Sequence, residues 1–204
     1  MKKRFYSLLF VCLLMFAFTG CSKKEEPVNA SGETSQASEA SEASEAAEAD
    51  ETEEIDREDG FVTFADPKGA FSVDFPGTPE ENVEKVSLGA EEIEAYAYFL
   101  QLSETAYNVM YSDYPEGFAA DQEAVLENAL ASVPAPIEES TDITMGDYIG
   151  REVRYTLQSG SQSVAMYHRI YLVGDRMYQL QAMNSSGERD PQFDVFFDSF
   201  VLTQ

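Results

Sequence analysis

The sequence predicts an α+β domain, mostly antiparallel β-sheet flanked by helices, preceded by a signal peptide and a disordered linker. Three observations lead there. Residues 60–204 contain nine short runs rich in Phe, Tyr, Val and Ile, but only two stretches with apolar residues at helical spacing. The joints between the last four runs are too short for a crossover helix, so those strands pair as hairpins. The 25 Phe and Tyr residues are also unevenly placed: residues 21–59 contain none. A segment whose only large aliphatics are Val28 and Ile55 buries too little apolar surface to offset the entropy of ordering it. The domain boundary therefore falls near Gly60, giving a signal peptide over 1–20, a linker over 21–59 and one domain over 60–204.

The N-terminus comes first. Lys2, Lys3 and Arg4 precede an apolar run of 11 residues from Leu8 to Phe18. As a helix that run rises only about 16 Å, short of a hydrocarbon core of about 30 Å. A charged start, a short apolar middle and small residues before a processing point make a secretory signal. Phe18-Thr19-Gly20-Cys21 resembles the bacterial lipobox, with Phe18 standing where Leu is usual. The resemblance implies cleavage between Gly20 and Cys21 and a palmitate-type lipid on Cys21. Cys12 would leave with the peptide, so the mature chain has no intramolecular disulfide. Two acyl chains suffice for stable attachment, at about 0.8 kcal/mol per buried methylene. The expected location is the cell envelope, on the outer face of the cytoplasmic membrane or on the outer membrane of a two-membrane cell.

The linker repeats Ala, Ser and Glu from Ala37 to Glu48. No unit has a face to bury, so it forms no solenoid. Its 14 acids against 3 bases give −11, while residues 60–204 hold 24 acids against 7 bases, a net −17. Flexible-chain scaling makes it a spacer of about 35 Å. The acidity argues against nucleic-acid binding, which draws on clustered Lys and Arg.

Within the domain, Phe61–Phe64 and Phe71–Phe75 flank the turn Asp66-Pro67-Lys68-Gly69, and Pro76-Gly77-Thr78-Pro79 closes the second strand. Asn82–Leu88, Ile93–Leu102 and Tyr107–Ser112 are the next strands. A helix starts at Asp121 as N-cap, with Val125, Leu126, Ala129, Leu130 and Val133 in one stripe ended by Pro134 and Pro136. Four strands follow at Ile137–Met145, Ile149–Leu157, Ser163–Val173 and Met177–Met183. Asp190-Pro191 then opens a helix whose face is Phe193, Phe196, Phe197 and Phe200.

The phrases "FSVDFPGTPEE", "YNVMYSDYP" and "IGREVRYTLQSGSQSVAMYHRIYLVGDRMYQLQA", with a terminal "FFDSFVL", resemble the PsbP/Mog1-like superfamily over most of residues 61–202. The resemblance implies an α/β/α sandwich, a central antiparallel sheet between helices. That superfamily includes photosystem accessory proteins and a partner of a nuclear-transport factor, and no catalytic or ligand residue of it maps onto this chain.

Chemistry is sparse. The domain has one His and no Cys, which excludes Cys–His pairs, thiolate zinc and three-His metal sites. There is no nucleophile elbow, phosphate-binding glycine loop or EF-hand. No enzyme activity and no cofactor is expected. His168 lies on the apolar face of a strand, as a satisfied, partly buried histidine. Five of the seven bases, Arg151, Arg154, Arg169, Arg176 and Arg189, fall after residue 150. A turn centred on Gly160-Ser161 sets Glu152 opposite Arg169 and Arg154 opposite Tyr167. The group is either internal charge compensation or a cationic island that grips an anionic ligand or partner. Tyr107 and Tyr111 pack on the sheet; Tyr114 and Tyr148, in loops, are candidate partner contacts. The sequence thus predicts a non-catalytic interaction or accessory module, its partners being the membrane through Cys21 and a protein of unknown identity. The alternative is a carrier or sensor of a small apolar or anionic ligand held between sheet and helices. A filled, Phe-rich interior favours the first and an apolar cavity of several hundred Å³ the second.

Overall fold

The computed structural model describes residues 54–56, 60–88, 91–159 and 162–203. The signal, Gly20, Cys21 and most of the linker lie outside the described residues. Eleven strands and two α-helices follow in order: β1 Glu54–Asp56, β2 Val62–Asp66, β3 Phe71–Phe75, β4 Glu80–Leu88, β5 Glu91–Gln101, β6 Thr105–Asp113, then a 3₁₀ turn at Phe118–Ala120 and α1 Gln122–Ala131. Next come β7 Ile137–Met145, β8 Tyr148–Ser159, β9 Gln162–Val173, β10 Arg176–Asn184, α2 Pro191–Asp198 and β11 Val201–Leu202. The result is mostly antiparallel sheet with two helices, an α+β domain.

Seven strands form one antiparallel sheet, ordered β4-β5-β6-β10-β9-β8-β7, and a smaller sheet runs β1-β2-β3-β11. Side-chain alternation gives the large sheet two faces. On one face Tyr107, Tyr111, Tyr167, Tyr178 and Leu180 meet the small sheet and the Phe193, Phe196 and Phe197 stripe of α2. On the other, Ile170, Leu172 and Met177 meet Val125, Leu126 and Ala129 of α1. Each helix thus covers one face.

Local chemistry explains the elements. Asp121 Oδ1 accepts from the Ala124 N–H at 3.1 Å, and Asp190 Oδ1 from the Gln192 N–H at 2.9 Å, with Pro191 opening the helix. Both caps satisfy orphan amides of the first turn. At the β2–β3 turn the Lys68 N–H donates to Asp66 Oδ1 at 2.9 Å. A Cβ on Gly69 would lie 2.6 to 2.7 Å from Asp66 Oδ2 and the Phe71 and Tyr111 rings, so only glycine fits beneath the turn.

Three expectations are corrected. Glu54–Asp56 falls in the expected linker, yet pairs with Val62–Phe64 as a strand; backbone donors and acceptors suffice for such pairing, and composition does not report them. The second helix ends at Asp198, so Phe200 leaves the helical face, though it stays buried and leads into β11, which pairs with β3. His168 is wholly rather than partly buried, and neither ring nitrogen has a hydrogen-bond partner.

Candidate functional site

The register of β8 and β9 is the one expected: Glu152 faces Arg169 and Arg154 faces Tyr167. Even-numbered residues of β8 and odd-numbered residues of β9 share the face that carries α2. The segment between β10 and α2 passes beside them and brings Gly187, Glu188 and Arg189. Together with Glu139 and Thr141 of β7, these residues line a half-open cleft of about 350 Å³.

The charges of the cleft form one chain. Arg154 Nη1 lies 2.9 Å from Glu138 Oε2 and 3.3 Å from Glu139 Oε1, and its Nη2 donates to the Gly187 carbonyl at 3.2 Å. Its guanidinium carbon lies 5.9 Å from the Tyr167 ring centre. Arg189 takes the same ring at 5.3 Å and donates to Glu152 at 2.8 Å and Asp194 at 2.8 Å. Arg169 donates to Glu152 Oε2 at 2.5 Å and Asp198 Oδ1 at 2.8 Å, over the Phe197 ring at 4.9 Å. Burial pushes the Glu152 carboxyl upward, but hydrogen bonds from Arg169 and Arg189 outweigh it and hold the group below the ordinary carboxylate range.

This geometry corrects the cationic island. Arg154 and Arg169 are both engaged by domain carboxylates, and Tyr167 lies beneath the guanidinium groups with 4% of its surface exposed. Arg151 is likewise paired with Glu123 and Asp142, and Arg176 holds Asp113 at 2.5 and 2.8 Å. The cleft lining carries Glu139, Glu152 and Glu188 against Arg154 and Arg189, so its surface is net acidic. Its chemistry suits charge-alternating recognition.

The two candidate tyrosines lie apart from this chain of charges. Tyr114 stacks on Phe118 at 4.1 Å and 14°, half-buried against the α1 cluster, and burial pushes its hydroxyl up to about 12. Asp175 locks that corner by accepting the Gly117 and Ala119 amides, each at 2.9 Å. Tyr148, expected in a loop, is instead the first residue of β8, paired with Met145 across the hairpin, and is 37% exposed. Tyr107 and Tyr111 are in the core.

Sequence reasoning missed two groups. Under the β2–β3 turn, the buried Asp66 accepts from the Tyr98 hydroxyl at 2.5 Å, and Lys68 donates to Tyr96, which donates to Glu94. On the α1 face, Asn108, Gln181 and His168 occupy facing positions on β6, β10 and β9, each at most 2% exposed. Asn108 Nδ2 donates to Gln181 Oε1 at 3.2 Å, leaving Asn108 Oδ1 unpartnered. Burial drives the His168 pKa down to about 4; Gln179 opposes the shift weakly, without a hydrogen bond of ordinary geometry to either nitrogen. The signal for this row was in the sequence: polar residues at buried parity within strands. Among the described residues no group of three or more His, Cys, Asp or Glu is placed to hold a metal ion, and no helix is long and apolar enough to cross a membrane.

No sequence-family model and no curated protein matches the chain. Solved structures give partial likenesses. A Bacteroides thetaiotaomicron protein aligns with a TM-score of 0.46 at 9% identity, over 70% of this chain and 48% of its own, so this chain spans about half its length. A Pseudomonas aeruginosa protein of unknown function aligns with a TM-score of 0.34 at 16% identity, over 62% of this chain and 83% of its own. Both fall below the similarity that marks a shared fold.

Proposed function

We propose that the chain is an extracytoplasmic lipoprotein, anchored through Cys21, whose acidic linker presents a non-catalytic interaction or accessory module. The observation that carries the module reading is the filled interior. Phe71, Phe75, Tyr107, Phe193 and Phe196 occupy the space between the large sheet, the small sheet and α2, each with no exposed surface. A carrier of an apolar ligand needs that space open. The cleft beside Tyr167 is walled by charged side chains and lies on the surface, where a protein partner reaches it. A helix on each face of an antiparallel sheet accords with the PsbP/Mog1-like resemblance, which we retain as part of the proposal; fold alone assigns no activity.

The anchor is tested by labelling cells with a palmitate analogue. The wild-type chain takes the label and a Cys21→Ser variant does not; persistent label on the variant overturns the anchor. The module is tested by crosslinking intact cells. A discrete partner whose yield falls when Glu139 and Glu188 are both changed to Lys is expected; a small molecule retained on purification with no crosslinked partner restores the carrier.

A further inference from the structure

The two edges of the large sheet differ. β7 has an irregular register between Ile137 and Glu139, and its carboxylates are engaged: Glu138 and Glu139 by Arg154, Asp142 by Arg151. A bulge twists an edge away from further pairing. β4 has no such bulge, although its Glu84 accepts a hydrogen bond from Asn82 Nδ2 at 3.1 Å. Its nine residues pair with β5 without interruption, from Glu80 opposite Phe99 to Leu88 opposite Glu91, and among the described residues no strand pairs with its outer side. Val83, facing Tyr96 across the pair, is 45% exposed. The hairpin carries six glutamates (Glu80, Glu81, Glu84, Glu91, Glu92 and Glu94) against Lys85, whose contact with Glu92 is a solvent-exposed 3.9 Å.

We propose that the outer edge of β4 is a docking edge for an extended, basic segment of a partner protein, which adds to the sheet as a further strand. Main-chain hydrogen bonds supply the attachment in such pairing, and side chains at alternate positions supply selectivity. Charge decides among occupants. A second copy would bring one −5 hairpin against another, the chain's own linker carries −11, and an anionic lipid surface is repelled in the same way. A basic strand meets the opposite sign. Alternation refines its chemistry: Glu80 and Glu84 share one face with Asn82 between them, while Glu81, Val83 and Lys85 share the other. The fitting segment has Lys or Arg four residues apart on one face, and on the other a basic residue two positions from an apolar one that covers Val83.

The inference rests on the module reading, and its test is separable from the crosslinking above. The full chain, in neutral detergent, is titrated with a nine-residue peptide of alternating Lys and Val or Thr, and amide hydrogen exchange is followed along the sheet. The linker also attracts such a peptide, so exchange decides. Slowed exchange at alternate amides of β4, with β7 unchanged, is expected. Changing Glu80, Glu81 and Glu84 together to Gln should leave the melting temperature in place and weaken binding about tenfold, as for three exposed cross-strand pairs. Peptide bound without added protection in β4, or with protection in β7, overturns the proposal. Protection of β4 that rises with protein concentration and needs no peptide also overturns it, by making a second copy the occupant. A crosslinked partner in cells with no β4 protection would leave the module standing and remove the edge.

Discussion

The two faces of the seven-stranded sheet are buried by different means. The face under α2 and the small sheet is closed by aromatic rings meeting at 4.5 to 6.2 Å, many edge-on, such as Phe64 with Phe75 at 88° and Tyr107 with Phe193 at 81°. Rings of this kind bury 150–250 Å² each and gain further from edge-to-face contact. The face under α1 buries one ring, Tyr155, and is otherwise closed by aliphatic, small and flexible side chains, among them Val153, Ile170, Leu172, Ala97, Met110, Met166 and Met177. Through its middle runs the Asn108, Gln181, His168 row, with three polar atoms lacking partners. The comparison teaches that area drives the first face, whereas the second trades stability for a row that a one-residue slip would move to the opposite side.

The largest effect expected from this contrast is on the aromatic face. Phe196→Ala, removing a ring with no exposure that packs 5.2 Å from both Phe75 and Tyr107, should lower stability by about 3–5 kcal/mol, read from urea unfolding midpoints. A Met110→Ala variant that loses as much would break the contrast, because the other face would then depend equally on volume.

Acid should attack the α1 face first. His168 is neutral with a folded pKa of about 4, against about 6.5 unfolded. Between those values the unfolded chain binds the extra proton, so stability is complete above pH 6.5 and falls as the pH drops toward 4, by about 3 kcal/mol at most. Tyr155 and Gln179, from the flanking strands, offer the imidazolium no counter-charge. Glu152, with its lowered pKa, acts in the same direction but only below the ordinary carboxylate range. Urea unfolding from pH 7 to pH 4 checks this, and a His168→Leu variant that keeps the slope above pH 5 would show that another group is responsible.

A smaller effect separates specificity from stability. Asn108→Leu alone leaves the Gln181 amide oxygen buried and unpartnered and should cost about 1–3 kcal/mol, whereas Asn108→Leu with Gln181→Leu should recover most of that. A double variant no more stable than either single one would mean that the row contributes through packing. The smallest effect lies on the exposed β4–β5 hairpin. Lys85→Ala breaks a pair whose side chains are 70% and 65% exposed, and thermal unfolding should shift by no more than about 0.5 kcal/mol.

Much of the fold was legible from short-range pattern. The caps Asp121 and Asp190 state where helices begin, and the hairpin joint at Gly160-Ser161 fixes which residues of β8 and β9 meet. That register placed Glu152, Arg154, Tyr167 and Arg169 together. It did not place Glu138, Glu139, Asp194 or Asp198, which neutralise those arginines, because they arrive from a strand with an irregular register and from a helix joined by an irregular segment. The free cationic island of the sequence reading failed for that reason.

The sequence by itself determined the domain's class, the parity of its strands and the aromatic stripe of α2. Those follow from periods of 2 and 3.6 residues, which act over a few neighbours. Only the tertiary structure decided which charges are spent, that Glu54–Asp56 and Val201–Leu202 are strands, that the space a ligand would fill is occupied by rings, and that one edge strand of the large sheet is bulged while the other pairs in unbroken register. Those depend on contacts between residues far apart in the chain, where many pairings satisfy the same local pattern and packing selects one.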